Sequence, residues 1–251
     1  MQFTTLVKAI EIFNLFLKSE GTLNFEEISN FLKMPRSTTY KYLAILKDYG
    51  LLDYDHEEKE YRLGLKFIAY GSFVQSKIPL EKVALPYMRA LAQEINETVF
   101  LSYLSSGVAY CLERVGSESG IVFSMQRGAN LPLYCGASAK VLLSALSEKE
   151  IDDILQRTML IPFTKNTITD PAKLKQNIRE TKKKGYAFSE GEADEGARGV
   201  AAPIINEKLR ITAGLCVAGP TSRMNDSKLP EIIKLVTTCA SKITEDLRRL
   251  S

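Results

Sequence analysis

The sequence predicts an α+β chain in two parts, a small helical unit followed by a larger unit of mixed strands and helices, and three observations carry that prediction. From Asn24 to Leu52 the apolar spacing is that of two short helices joined by a tight turn. From Leu52 to Gly64 two alternating runs flank a charged turn. After residue 98 β-rich runs replace the helical spacing of residues 80–96.

Asn24 stands directly before Phe25 and three residues before Glu27. This is the capping-box arrangement, in which each side chain satisfies an orphan amide of the first turn, so a helix starts there. Ile28, Phe31 and Leu32 give it an apolar stripe. Pro35 restricts Met34 and suits the first position of a new helix, so the chain turns near Lys33 and Met34. From Pro35 the period resumes with Thr39, Leu43 and Leu46 inward and Ser37, Lys41 and Asp48 outward, flanked by Thr38 and Tyr40; Gly50 ends the helix. Arg36, Ser37, Thr38, Tyr40 and Lys41 fall in its first two turns. In helix-turn-helix proteins that end enters the major groove, with phosphates drawn to the amino-terminal amides. Any small helical domain has a polar outer face, so the next segment matters. Leu51, Leu52 and Tyr54 alternate, residues 55–60 make a charged turn, and Tyr61, Arg62 and Leu63 resume the alternation. The result is a wing whose Lys59 can reach a neighbouring phosphate backbone.

Residues Thr5 to Lys18 place Leu6, Ala9, Ile10, Phe13, Phe16 and Leu17 on one face of a supporting helix, with Gly21 just past its end. Leu65, Ile68, Ala69, Phe73 and Val74 continue at helical spacing until Pro79 breaks the run, with Gly71 a soft point. The expected organisation is therefore a first domain over 1–64, a linker helix over 65–79 and a second domain over 80–251. A helix from Leu80 to Asn96 carries Val83, Met88, Leu91 and Ile95. Residues 99–104, 108–115 and 120–125 read as an antiparallel meander. A loop at Leu131, Pro132 and Leu133 leads to a small-residue helix over 138–146, and Ser147 with Glu150 caps another. Asp170 and Pro171 open a further helix, which closes on Lys182, Lys183 and Lys184 before Gly185. Strands over 186–189, 200–205 and 211–217 and a helix over 228–250 complete the chain, without internal repeats.

At 251 residues and 45% hydrophobic composition the chain can bury two cores. No apolar run approaches the roughly 20 residues that span a bilayer, and no signal-peptide core stands at the amino terminus, so a cytoplasmic protein without membrane contact is expected. Cys111, Cys135, Cys216 and Cys239 are far apart, which argues against disulfides and zinc knuckles. The single histidine, His56, lies in the wing turn. That excludes a Ser-His-Asp triad, a Cys-His pair away from the wing and any multi-histidine metal site. No catalytic residue, metal or cofactor is expected. The net charge is only +3, and through residue 77 the cations are balanced by acids, so any nucleic-acid footprint is local. Lys33, Arg36, Lys41 and Lys47 form such a patch, with no acid between Lys33 and Lys47. The acids from Glu190 to Glu195, beside Arg198, could bind a cation or amine; a solvated loop is the simpler expectation.

These residues resemble the IclR family of bacterial transcriptional regulators over nearly the whole chain. LVKAIEIF, PRSTTYKYLAIL and YRLGLK are similar to that family's winged helix-turn-helix and the start of its linker. LPLYCGASAKVLLSAL is similar to its pocket loop and helix, and GYAFSEGEADEGARGVAAPI with GLCVAGPTSRM to its carboxy-terminal signature. The resemblance implies a winged helix-turn-helix joined by a linker helix to a GAF-like α/β effector-binding domain, in a homodimer or homotetramer. Its pocket positions fall on Leu133, Ala137, Ser138, Glu190, Gly199, Cys216 and Ala218. Glu190 replaces a shorter acid of the relatives, and Cys216 and Ala218 stand where hydroxyls are common, leaving fewer donors for a glyoxylate-like carboxylate. Both also read as plain strand core.

The expected function is a ligand-responsive, sequence-specific DNA-binding regulator. By resemblance it is a repressor of a catabolic operon, answering to a small organic acid or aromatic effector and binding a pseudo-palindromic double-stranded operator. Thr38 and Lys41 would touch base edges, and Arg36 and Ser37 phosphates. The alternatives are an enzyme acting through Cys135 or Cys216, against which stands the lack of a histidine partner, and a winged-helix module that binds another protein.

Overall fold

The computed structural model describes residues 4–19, 21–76, 79–105, 107–116 and 126–250. The chain divides into two compact units, Met1–Lys77 and Ile78–Ser251.

The first unit runs α1 (Thr4–Phe16), β1 (Thr22–Asn24), α2 (Phe25–Leu32), α3 (Arg36–Asp48), β2 (Leu52–Asp55), β3 (Glu60–Leu63) and α4 (Lys66–Ser76). The capping box at α2 is complete: Asn24 Oδ1 accepts from the Glu27 amide at 3.0 Å, and Glu27 Oε2 accepts from the Asn24 amide at 2.7 Å. Lys33 turns the chain in the left-handed region, φ 51°. Pro35 is the N-cap of α3, one residue outside the helix it was expected to begin. Ile28, Leu32, Thr39, Leu43, Leu46 and Leu52 are buried with Ile12 and Phe16 of α1. Two expected inward faces shift. Phe31 is 47% exposed, and α1 buries Ile12 and Phe16 while Leu6, Ile10 and Leu17 face outward. Helix α1 is apolar around most of its circumference, so period alone could not select the buried side. Strand β1 pairs with β3, Leu23 opposite Tyr61, and makes a third strand that three residues were too short to announce. At Gly64 the chain passes so close to Gly50 that a Cβ would lie 2.1 Å from its carbonyl oxygen. Only glycine closes the wing there. Helix α4 continues unbroken through Gly71 and leaves Ile68, Phe73 and Val74 exposed, with Leu65 just before it.

The second unit runs α5 (Pro79–Ile95), β4 (Thr98–Ser105), β5 (Val108–Val115), β6 (Asn130–Leu131), α6 (Gly136–Ser144), α7 (Glu148–Arg157), α8 (Pro171–Lys184), β7 (Ala187–Glu190), β8 (Ala197–Asn206), β9 (Ile211–Pro220) and α9 (Leu229–Arg249). Among the described residues its strands form one six-stranded antiparallel sheet in the order β6-β5-β4-β9-β8-β7. The strand expected over 120–125 lies outside the described residues. Because side chains alternate along a strand, the sheet has two different faces. Val99 and Leu101, Val200 and Ala202, and Leu215 and Val217 pack beneath α5 and α9. Phe100, Ala201 and Cys216 point the other way, against Ala137 and Val141 of α6. Behind α6, Leu142 and Leu143 pack with Ile151 of α7 and with Leu174 and Ile178 of α8. Helices thus cover both faces of one sheet. Gly214 sets how closely α6 approaches: a Cβ there would lie 2.7 Å from Val141 Cγ1 and 2.9 Å from Ser102 Oγ. That approach fixes where the amino-terminal end of α6 lies over the strands. Among the described residues no helix is long and apolar enough to cross a membrane.

Candidate functional site

The structure offers one site in each unit. In the first, Arg36, Ser37, Tyr40 and Lys41 are exposed on α3 and Thr38 is half-buried. Tyr40 stacks on Phe25 of α2 with ring centroids 4.0 Å apart, and the Arg36 guanidinium lies 4.8 Å above the Phe25 ring. Arg36 also pairs with Glu26, a contact exposed to solvent. The patch that is free of acids in the sequence therefore has one in space, supplied by the neighbouring helix. In the wing, Asp55 Oδ1 accepts from the Glu57 and Glu58 amides, and the exposed Lys59 sits at the turn with φ 57°. Arg62 bonds to Asp53 across the two strands at 2.8 Å, where the register places them opposite each other.

The second site is a cavity of about 280 Å³ between the sheet and the amino-terminal end of α6. Strand register builds its floor. Thr98, Ala218, Gly199 and Ser189 form one row across β4, β9, β8 and β7, and Phe100, Cys216, Ala201 and Ala187 form the next. Of the positions expected from the sequence, Ala137, Ser138, Gly199, Cys216 and Ala218 line the cavity. Two do not. Leu133 packs into the core of α6, α7 and α8, and Glu190 is exposed and pairs with Arg198 at 2.9 Å. Phe100, Phe163, Ser189, Glu192, Asp194 and Arg198 line the cavity without having been singled out as pocket residues.

Glu192 departs furthest from its reading as part of a solvated loop. It is 7% exposed, and its Oε1 accepts from Lys140 Nζ at 2.5 Å while Oε2 accepts from the Gly136 amide at 3.1 Å. Lys140 is fully buried and also donates to the Phe188 carbonyl at 2.7 Å. A buried charge persists only when paired and hydrogen-bonded, and these two satisfy each other. The Glu192 carbonyl accepts from Thr167 Oγ1 at 2.7 Å, which ties the loop before α8 to the cavity wall. The signal was a lysine inside the otherwise small and apolar α6, which required a carboxylate somewhere nearby. Next to it, the Ala137 amide donates to Ser189 Oγ at 3.1 Å. Gly199 makes room for this meeting, since a Cβ there would lie 2.9 Å from Ser189 Oγ and 3.3 Å from Ala137 Cβ.

Arg198 is committed to structure. It bonds to Glu190, to Asp226 at 2.7 Å and to the Met224 carbonyl at 2.9 Å. Burial, reinforced by Glu192, pushes the Cys135 thiol up to about 12, and burial pushes Cys216 up to about 11. Neither is a thiolate at neutral pH, so neither is an activated nucleophile. Ser138 Oγ is buried without a hydrogen-bond partner among the described residues, with the weakly bonding Cys216 thiol beside it.

A winged helix-turn-helix unit joined to a unit with an internal small-molecule cavity defines a ligand-responsive DNA-binding regulator. The chain belongs to the IclR family: residues 5–56 match the IclR helix-turn-helix domain, and residues 72–245 match the family described as bacterial transcriptional regulator IclR C-terminal. It is 31% identical over 243 residues to the HTH-type transcriptional regulator KipR of Bacillus subtilis, covering 97% of this chain and 96% of that one. It is 28% identical over 246 residues to the transcriptional repressor IclR of Escherichia coli, covering 97% and 89%. These relatives are regulators, not enzymes. The Thermotoga maritima IclR crystal structure superposes with a TM-score of 0.74 at 30% identity, covering 98% of this chain and 99% of that one. An IclR homolog from Microbacterium hydrocarbonoxydans, solved in complex with 4-hydroxybenzoate, superposes at 0.84 with 22% identity, covering 98% and 99%.

Proposed function

We propose that α3 reads a pseudo-palindromic operator in the major groove and that occupancy of the cavity in the second unit sets the affinity of that reading. The observation that carries the proposal is the joint presence, in one family member, of an exposed donor face on α3 and a small cavity with a largely apolar wall. Pro35 offers no side-chain acceptor to the first turn of α3, so the amides of Arg36 and Ser37 are available to a phosphate. Thr38 and Lys41 contact base edges, Tyr40 supports Arg36 through Phe25, and Lys59 meets the backbone beside the groove. Residues 1–64 bind DNA, 65–79 link, and 80–251 bind the effector.

Two copies bind together. The exposed Leu65, Ile68, Phe73 and Val74 are an apolar surface suited to a second copy, and pairing of two such dimers would make a tetramer. A dimer places its two recognition helices roughly 34 Å apart, one turn of DNA. Relatives named as repressors support a repressor, its target read as a catabolic operon and its place as the cytoplasm, and the relative holding 4-hydroxybenzoate supports a small organic effector. The demand on the ligand is modest: a tenfold change in operator affinity needs about 1.4 kcal/mol of preference for one arrangement of the DNA-binding units. The test is the salt dependence of binding to a genomic fragment that the protein retains. Affinity that falls steeply between 50 and 200 mM salt fits phosphate contacts, whereas affinity that holds would point to a protein-binding wing instead.

A further inference from the structure

We propose that the ligand of this cavity is uncharged, a single ring or short apolar chain bearing one hydroxyl or carbonyl that Ser138 and Ser189 hold, and that a carboxylate is excluded; this rests on the effector-pocket reading above. A helix amino terminus ordinarily invites an anion, because its first amides lack partners and carry the positive end of the helix dipole. Here the chain has supplied that anion itself. The Gly136 amide is bonded to Glu192 and the Ala137 amide to Ser189, each at 3.1 Å. Arg198, at the cavity wall, is likewise committed, to Glu190, Asp226 and the Met224 carbonyl.

The charges around the cavity make the same point. Among the described residues Arg198 is the cation at the wall and Glu192 and Asp194 are the acids, with Lys140 behind Glu192 and the Arg114 guanidinium 5.7 Å from the Phe100 ring. A ligand carboxylate would add a negative charge beside Glu192 and Asp194, while Lys140, Arg198 and Arg114 are each already engaged, with Glu192, with Glu190 and Asp226, and with Gln126. An ammonium in turn finds those acids already engaged. Both oxygens of Glu192 are occupied, by Lys140 and by the Gly136 amide, and Asp194 is also engaged within the protein.

What the cavity does have is two serines on an apolar wall. Ser138 is 5% exposed, and its Oγ is buried without a hydrogen-bond partner among the described residues. A buried hydroxyl left in that state is destabilising, and a ligand that bonds to it removes the penalty. Ser189 Oγ accepts from the Ala137 amide, and its own O–H can donate. With Ser138 Oγ turned about its side-chain torsion from the Cys216 thiol toward the cavity, the two match one hydroxyl or carbonyl oxygen. Phe100, Phe163, Pro132, Ala137 and Ala218 supply the apolar remainder, in a volume of about 280 Å³. Uncharged ligands with a single polar group suit such a site.

The test is calorimetric titration of the full-length protein at neutral pH with four probes of matched size: benzyl alcohol, benzamide, benzoate and benzylamine. The expected result is that benzyl alcohol or benzamide binds at least tenfold more tightly than either charged probe, and that Ser138→Ala weakens the preferred probe at least fivefold. Asp194→Asn should at the same time narrow the gap to benzoate. Benzoate or benzylamine as the tightest ligand would overturn the assignment, and so would millimolar indifference to all four, since the cavity has room for each. Operator binding is measured on the same preparation: its absence counts against the regulator reading, while the order of the probes decides the ligand class.

Discussion

Helices α3, after Pro35, and α6, after Cys135, both begin without a capping side chain, and they resolve the same deficiency in opposite ways. The first turn of α3 is open to solvent, with Arg36 and Ser37 exposed. The first turn of α6 is buried, and a glutamate and a serine from β7 and the loop after it satisfy its amides. In one unit the missing cap leaves room for a polyanion from outside. In the other the protein carries its own anion, balanced by a buried lysine one turn further along α6. The lesson is that an uncapped helix end marks an anion site only when nothing within the chain has already taken it.

The comparison breaks most readily at Glu192. Replacing Glu192 with alanine strands Lys140 in the interior and should destabilise the second unit by about 3–5 kcal/mol in denaturant unfolding. Lys140→Met combined with Glu192→Gln should recover much of that loss; a double variant as unstable as the sum of the two single ones would mean that the pair is not coupled. Gly214→Ala tests the placement of α6 itself. Overpacking Val141 against the sheet should cost about 1–3 kcal/mol, and an unchanged midpoint would show that α6 can shift freely.

On the α3 side, Lys41→Ala should weaken specific operator binding by about 1–3 kcal/mol, roughly five- to 150-fold, while leaving oligomeric state and unfolding midpoint unaltered. Unchanged specificity would sink the assignment of α3 as the reading helix. The smallest effect sharpens the picture most: Glu26→Gln releases Arg36 from a solvent-exposed pair, so operator affinity should rise by a few-fold at most. A fall in affinity would instead mean that Glu26 holds Arg36 in its DNA-binding pose.

Local rules made the first unit readable. The Asn24 and Glu27 box, the turn at Lys33 and the inward Thr39, Leu43 and Leu46 depend only on neighbours within a turn or two. Local rules failed where the determinant was not local. Helix α1 had apolar residues on more than one side, and β1 was too short to show alternation. The cavity divides in the same way. Resemblance pointed to Ala137, Ser138, Gly199, Cys216 and Ala218, and strand register accounts for why the last three share a face. Leu133 and Glu190 fall outside because each has a better partner, the core behind α6 for one and Arg198 for the other. Glu192 looked like one acid in a solvated run because its partners, Lys140 and the Gly136 amide, lie more than fifty residues earlier in the chain.

The most direct test of the account is footprinting of genomic fragments retained by the purified wild-type protein, repeated in parallel with Lys41→Ala. The prediction is a protected pseudo-palindrome with half-sites a whole number of helical turns apart, lost in the variant. Protection that survives Lys41→Ala, or retention of DNA without any defined footprint, would contradict the claim that α3 reads the operator.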